Sequence, residues 1–150
     1  MRIVVQRVQS AEVSVEKEIA GQISGGLLLL VGVEDADNDD DIAWLSKKIL
    51  NMRIFPDDEK PMNQSVQDID GQILVVSQFT LHASTKKGNR PSFIKAAAPE
   101  KAERLYEKLI DRLKTESALK VGSGRFGKMM EVSLINDGPV TIIIDSKNRE

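Results

Sequence analysis

The segment Ser77-Gln78-Phe79-Thr80-Leu81 closes an apolar run that starts at Ile73, and it gathers hydroxyl, amide and backbone N–H groups in one place. Groups of this kind at a strand end can hold a carbonyl oxygen and position a water molecule. The same residues also read as a strand running into a polar turn. His82, the only histidine, follows directly. Any Ser-His-Asp scheme or general base of the histidine type has to pass through it, although its polar, basic surroundings predict an exposed loop residue. Asn136-Asp137-Gly138-Pro139 lies between two apolar runs. It reads as a hairpin turn in which the glycine supplies unusual dihedral angles. Pro139, however, has no N–H to donate at the start of a second strand. A rigid, exposed tip that presents its own backbone is therefore the alternative.

Other patterns carry less chemistry. Asp35, Asp37 and Asp39 alternate as calcium-loop ligands do, but the sixth position is Asp40 rather than glycine and the twelfth is Ser46 rather than glutamate. These acids are read as the solvated start of a helix. With no cysteine in the chain, a disulfide framework, a zinc–thiolate site and a cysteine nucleophile are all excluded. The reading calls for no metal and no cofactor.

The elements that must position these groups follow from periodicity. Strands are predicted at Ile3 to Val8, Ala11 to Val15, Ile19 to Ile23 and Leu27 to Val33. A helix starts at Asp39, with apolar positions Ile42, Leu45, Ile49 and Leu50 on one face and acids at its amino-terminal dipole. Pro56 to Pro61 breaks the chain into an exposed loop, and a strand follows from Ile73 to Phe79. Pro99 opens a second helix with the stripe Ala102, Leu105, Tyr106, Leu109, Ile110 and Leu113. Two closing strands, Met130 to Ile135 and Val140 to Asp145, are joined by Asn136 to Pro139. The order predicts an α+β fold: a mixed or antiparallel sheet backed by two helices.

At 150 residues and 41% hydrophobic content the chain fits a single domain spanning 1–150. The opening Met1 to Val5 enters a strand pattern at once, and the run Leu27 to Val31 is far short of a membrane span. A cytoplasmic protein is expected. The net charge of −2 argues against a nucleic-acid partner, but its distribution argues the other way. Between Asp70 and Glu100 there is no acid, while Lys86, Lys87, Arg90 and Lys95 fall in that window; Lys120, Arg125 and Lys128 occupy a second one, between Glu116 and Glu131. An ordinary solvated surface is the competing reading.

Taken together, the motifs resemble the D-aminoacyl-tRNA deacylases. The resemblance runs the length of the chain: the opening segment through Arg7-Val8, Ser77 to Leu81, Gly88-Asn89-Arg90-Pro91-Ser92-Phe93, Gly124-Arg125-Phe126-Gly127 and Asn136 to Thr141. It implies a homodimer of partly open, barrel-like subunits with the active site at the subunit interface. It also implies hydrolysis of the ester at the 3′ aminoacyl-adenosine end of D-aminoacyl-tRNA. Ser77, Gln78, Phe79 and Thr80 would line the reacting ester. Gly138-Pro139 would be a cis pair inserted from the other subunit, held by Arg7, that leaves no room for an L side chain. Phe126 and Met130 would shape the adenosine pocket. Lys128 departs from the family's usual alanine after Gly127, which affects the shape of that pocket.

An aminoacyl ester is an activated acyl group, so positioning and oxyanion stabilisation suffice in principle. Backbone N–H groups of Phe79 and Thr80, with the tRNA's 2′-hydroxyl assisting water, form one mechanism; Thr80 as a nucleophile is the competitor, and it lacks an evident base. Glycyl-tRNA, with no side chain to exclude, is an expected by-substrate. Two other classes remain open: a non-catalytic nucleic-acid-binding module using Lys86 to Lys95, to which an aromatic content of 4% gives few stacking platforms, and a deacylase of relaxed chirality.

Overall fold

A computed structural model describes all of residues 1–150. Its strands are β1 (Arg2–Val15), β2 (Glu18–Ile23), β3 (Gly26–Gly32), β4 (Gln72–Ser77), β5 (Val121–Ser123) and β6 (Glu131–Asp145), with helices α1 (Asp39–Asn51) and α2 (Pro99–Glu116). β1 is long enough to serve two partners along one edge: Arg2 to Val8 pair antiparallel with β3, and Ala11 to Val15 pair antiparallel with β2. Its other edge pairs with β6 throughout. β3 and β4 are parallel, as are β4 and β5. β5 then curls back to β2, where the backbone of Ser123 lies against Gly21. The sheet is thus mixed and nearly closed into a barrel.

The apolar pattern explains this arrangement. β3 and β4 are buried on both faces, which is why they read as unbroken hydrophobic runs rather than alternating ones. One face, with Ile3, Val5, Leu27, Leu29, Ile73 and Val75, meets the helices through Leu45, Ile49, Leu105, Leu109 and Leu113. The other, with Val13, Leu28, Leu74 and Val76, fills the interior of the barrel. Both helices bury the stripe their spacing predicts. No helix is long and apolar enough to cross a membrane.

The structure corrects four expectations. The first two predicted strands are one strand, because the chain passes Gln9 in an irregularity between Val8 and Ser10 without turning back. The two closing strands are also one, so Asn136 to Pro139 is no hairpin: Gln6 pairs with Thr141 and Val8 with Asn136, and the additional residues of β6 bulge out of the ladder. The strand from Ile73 ends at Ser77 instead of Phe79, and a 3₁₀ turn covers Phe79–His82. Finally, the helix start is only partly solvated. Asp41 closes a capping box with Asn38 and pairs with Lys147 at 2.8 Å, while Asp37 is buried against the α-amino group of Met1. Burial by itself would raise the Asp41 carboxyl. Hydrogen bonds from Lys147, Ser146 and the Asn38 backbone outweigh it and hold the group below the ordinary carboxylate range.

Candidate active site

The parallel strands β3, β4 and β5 end on one side of the barrel, so the residues that follow them gather there. Ser77 closes β4 opposite Val31. The N–H of Gln78 still donates to the Val31 carbonyl at 2.7 Å, and the chain then rolls into the 3₁₀ turn, in which Leu81 N–H donates to the Gln78 carbonyl at 3.2 Å. The first N–H groups of any such turn lack a partner within it. Here they belong to Phe79 and Thr80, both exposed, and no side chain caps them. Gln78 instead donates from Nε2 to Thr80 Oγ1. The Thr80 hydroxyl therefore accepts a hydrogen bond and has no base beside it among its partners.

The turn is held from below. Gly32 lies directly under it: a Cβ there would stand 3.0 Å from the Gln78 carbonyl oxygen, 3.0 Å from Leu81 Cβ and 3.1 Å from His82 Cδ2. Only the absence of a side chain lets the turn sit this low. His82, for which the sequence predicts an exposed loop, is 4% exposed, because the 3₁₀ roll points it inward against β3. Its Nε2 has no hydrogen-bond partner within the chain. Arg2 fixes the far end of the turn, donating from one guanidinium nitrogen to the Leu81 carbonyl at 2.8 Å and from Nε to Asp145 at 3.0 Å. Burial would raise the Asp145 carboxyl, but hydrogen bonds from the Lys147 backbone and from Arg2 outweigh it and keep it below the ordinary range. Sequence reasoning missed Gly32 and Arg2. A glycine ending an apolar run was the only signal for the first.

Beyond β5, Phe126 packs its ring 5.7 Å from that of Tyr106. Tyr106 is a core residue whose hydroxyl donates to the Val75 carbonyl at 2.8 Å. Burial raises its ionisation well above the usual phenol value, so it stays a donor. Met130 lies half-buried against the barrel interior, with its sulfur directly over Gly124. Phe126 and Met130 thus flank the segment leaving β5, on the same side as Ser77. Lys128, between them, is exposed.

Gly138-Pro139 is elsewhere. The bond is cis, and both residues are exposed on the bulge of β6. Arg7, 8% exposed, secures this bulge: Nε lies 2.9 Å from the Asp137 carboxylate and 3.3 Å from the Asp137 carbonyl oxygen, while another guanidinium nitrogen donates to Ile54 O at 2.6 Å. A Cβ on Gly138, whose φ is +119°, would fall 2.8 Å from Val140 and 2.9 Å from Arg7. Val8, beside the bulge, pairs with Gly26, whereas Ser77 pairs with Val31. The bulge itself lies opposite Arg7, which pairs with Leu27, so the two motifs are separated by roughly 13 Å along the strand direction, with β1 and β3 between them. Within one chain the structure brings Ser77, Gln78, Phe79 and Thr80 together and does not bring Gly138-Pro139 or Arg7 to them.

The family model described as D-Tyr-tRNA(Tyr) deacylase matches residues 4–145. The chain belongs to this family. It is 60% identical over its full length, and over the full length of the relative, to a protein of Flavobacterium psychrophilum named D-aminoacyl-tRNA deacylase, and 55% identical, again over both full lengths, to one so named from Bacteroides thetaiotaomicron. Among solved structures, one described as a c-Myc DNA unwinding element binding protein superposes with a TM-score of 0.91 at 38% identity, covering 97% of this chain and 98% of that one. Another, described as a probable eukaryotic D-amino acid tRNA deacylase, has a TM-score of 0.83 at 18% identity and covers 95% and 97%; it shows the fold.

Proposed function

We propose that the chain hydrolyses the ester bond of D-aminoacyl-tRNA, releasing free tRNA and a D-amino acid. The observation that carries this reading is the uncapped pair of amides at Phe79 and Thr80, two exposed residues on the rim of a barrel whose family is that of tRNA deacylases. Two N–H groups fixed by packing from beneath are suited to a carbonyl oxygen that gains negative charge as water attacks. The ester needs no strong base, because the neighbouring 2′-hydroxyl of the terminal ribose can assist the water. The environment of Thr80 favours this over nucleophilic attack by its hydroxyl, since its bonded partner is an amide of Gln78. Phe126 and Met130 line the place for the terminal adenosine.

The second half of the site, Gly138-Pro139, comes in this reading from another copy of the chain. Its distance from Ser77 within one chain supports this, as does the character of β6. That strand pairs only with β1 and leaves Leu134, Ile135 and Ile143 exposed, a long unpaired edge of the kind that calls for a cover. The Gly138 and Pro139 backbone would take the substrate's amino group and crowd out an L side chain. Specificity then rests on exclusion, so glycyl-tRNA is admitted. D-tyrosyl-, L-tyrosyl- and glycyl-tRNA incubated with the protein in parallel, with release of the amino acid followed over time, test all of this. The first and third should be cleaved and the second left intact. Binding of all three with cleavage of none would support a nucleic-acid-binding module instead, a reading that the description of the c-Myc DNA unwinding element binding protein would fit. Cleavage of the L ester would indicate relaxed chirality.

A further inference from the structure

Between the 3₁₀ turn and α2 the chain throws out an arm that the deacylase reading leaves without a task. Ser84 and Ser92 close it with two reciprocal backbone hydrogen bonds of 2.8 and 2.9 Å, and its tip carries Lys86, Lys87 and Arg90. These three and Lys95 are exposed, form no ion pair, and have no acidic residue near them in sequence. Of the other lysines and arginines only Arg2, Arg7, Lys101, Lys108, Arg112 and Lys147 are matched to carboxylates; what sets the arm apart is the clustering of Lys86, Lys87, Arg90 and Lys95 in a stretch that holds no acid between Asp70 and Glu100. The base of the arm is anchored, since the N–H of Ala97 donates to the Val33 carbonyl at 3.0 Å just past the end of β3. Immediately after the bridge, Phe93 sets its ring edge-on to that of Phe79, with centroids 5.0 Å apart and planes at 69°. Phe79 is 57% exposed, and Ile94 beside Phe93 is 93% exposed.

Exposed aromatic faces beside a row of unpaired cations are what single-stranded nucleic acid binds, through stacking and phosphate contacts. We propose that this arm is the track for the single-stranded 3′ end of the tRNA. The nucleotides just before the terminal adenosine stack on Phe93 and pack against Ile94, and their phosphates run along Lys86, Lys87, Arg90 and Lys95. The proposal rests on the deacylase reading for its ligand, and it assigns substrate affinity to residues that stand outside the reacting centre. Phe79 links the two regions: its N–H faces the ester, and its ring meets the first residue of the track.

The test compares a D-tyrosyl ester of adenosine, which lacks the strand, with D-tyrosyl-tRNA, which has it. Phe93→Leu keeps the apolar volume and removes the aromatic face. It should raise KM for the tRNA about ten-fold with kcat retained, and leave kcat/KM for the adenosine ester unchanged. Lys86→Ala/Lys87→Ala/Arg90→Ala should reduce the slope of log Kd against log salt for uncharged tRNA by about two. Equal losses on both substrates would show that Phe93 merely props Phe79 and would overturn the proposal. So would an unchanged KM and salt slope, or dissociation of the protein into smaller species, which would make the arm a contact between copies. If the wild-type protein cleaves neither substrate, the deacylase reading fails, and the salt slopes for uncharged tRNA still decide whether the arm binds the strand.

Discussion

At the end of β4 the chain is held from beneath, by the missing side chain of Gly32, by buried His82 and by the Arg2 bridge to Leu81. At Gly138-Pro139 it is held from one side, by a single guanidinium reaching to Asp137 and Ile54. The first arrangement suits amides that must stand still while charge develops on a substrate oxygen, because packed groups need no reorganisation at the moment of reaction. The second suits a segment that projects from a sheet edge, since a buried cation can fix a backbone without covering its outer face. The two regions therefore differ in what they tolerate. The turn should be sensitive to loss of a backbone donor, and the bulge to anything that moves Arg7 or adds bulk at position 138.

The largest effect is expected from Phe79→Pro. Proline fits the first position of a short helical turn and removes the N–H, so kcat should fall on the order of 10²- to 10³-fold. Phe79→Ala keeps the donor and should lose far less. Gly138→Ala comes next, at about 100-fold in kcat, with a loss of stability of about 1 to 3 kcal/mol, because a side chain at φ +119° is strained and its Cβ meets Val140 and Arg7. Joint refolding of the Phe79→Pro and Gly138→Ala variants sharpens the comparison. If the two halves come from different copies, mixed dimers regain one sound site, and activity should return to about a quarter of wild type. A mixture that stays inactive would place both halves in one chain.

Arg7→Lys separates charge from geometry. The ammonium keeps the attraction to Asp137 but cannot also reach the Ile54 carbonyl in a planar fork. Activity should drop about ten-fold, and stability by roughly 1 to 3 kcal/mol for the buried carbonyl left unpaired, read from kcat and from chemical denaturation. Parity with wild type in both would mean that the bulge is held by its strand pairing alone.

Both regions were legible in the sequence as motifs, but their settings were not. Ser77 to Leu81 stood out because polar residues end an apolar run, and Asn136 to Pro139 because turn-forming residues separate two such runs. A bulge and a hairpin use the same residue types, however, and nothing local tells that β6 continues past Pro139 along the same edge of β1. β5 was invisible for a related reason: three residues with a glycine at their centre become a strand only because β4, far back in the chain, offers them a free edge. His82 read as exposed because it opens a polar, basic stretch, whereas its burial is decided by Gly32 across the ladder. The helices were read correctly because their periodic stripes carry the signal within themselves.

The smallest effect should come from Thr80→Ala. The substitution removes the hydroxyl and its bond from Gln78 while leaving the backbone N–H where the turn puts it. Both side chains are at the surface, so water replaces the lost partner and the turn keeps its shape through Gly32, His82 and Arg2. Turnover within about three-fold of wild type follows, measured as single-turnover release of D-tyrosine. Were Thr80 the nucleophile, the same change would cost several orders of magnitude, since no neighbouring hydroxyl is held in the same place. The contrast between this substitution and Phe79→Pro therefore tests the reading at the level of single atoms: two adjacent residues of one turn, in which the backbone carries the chemistry and the most reactive side chain does not.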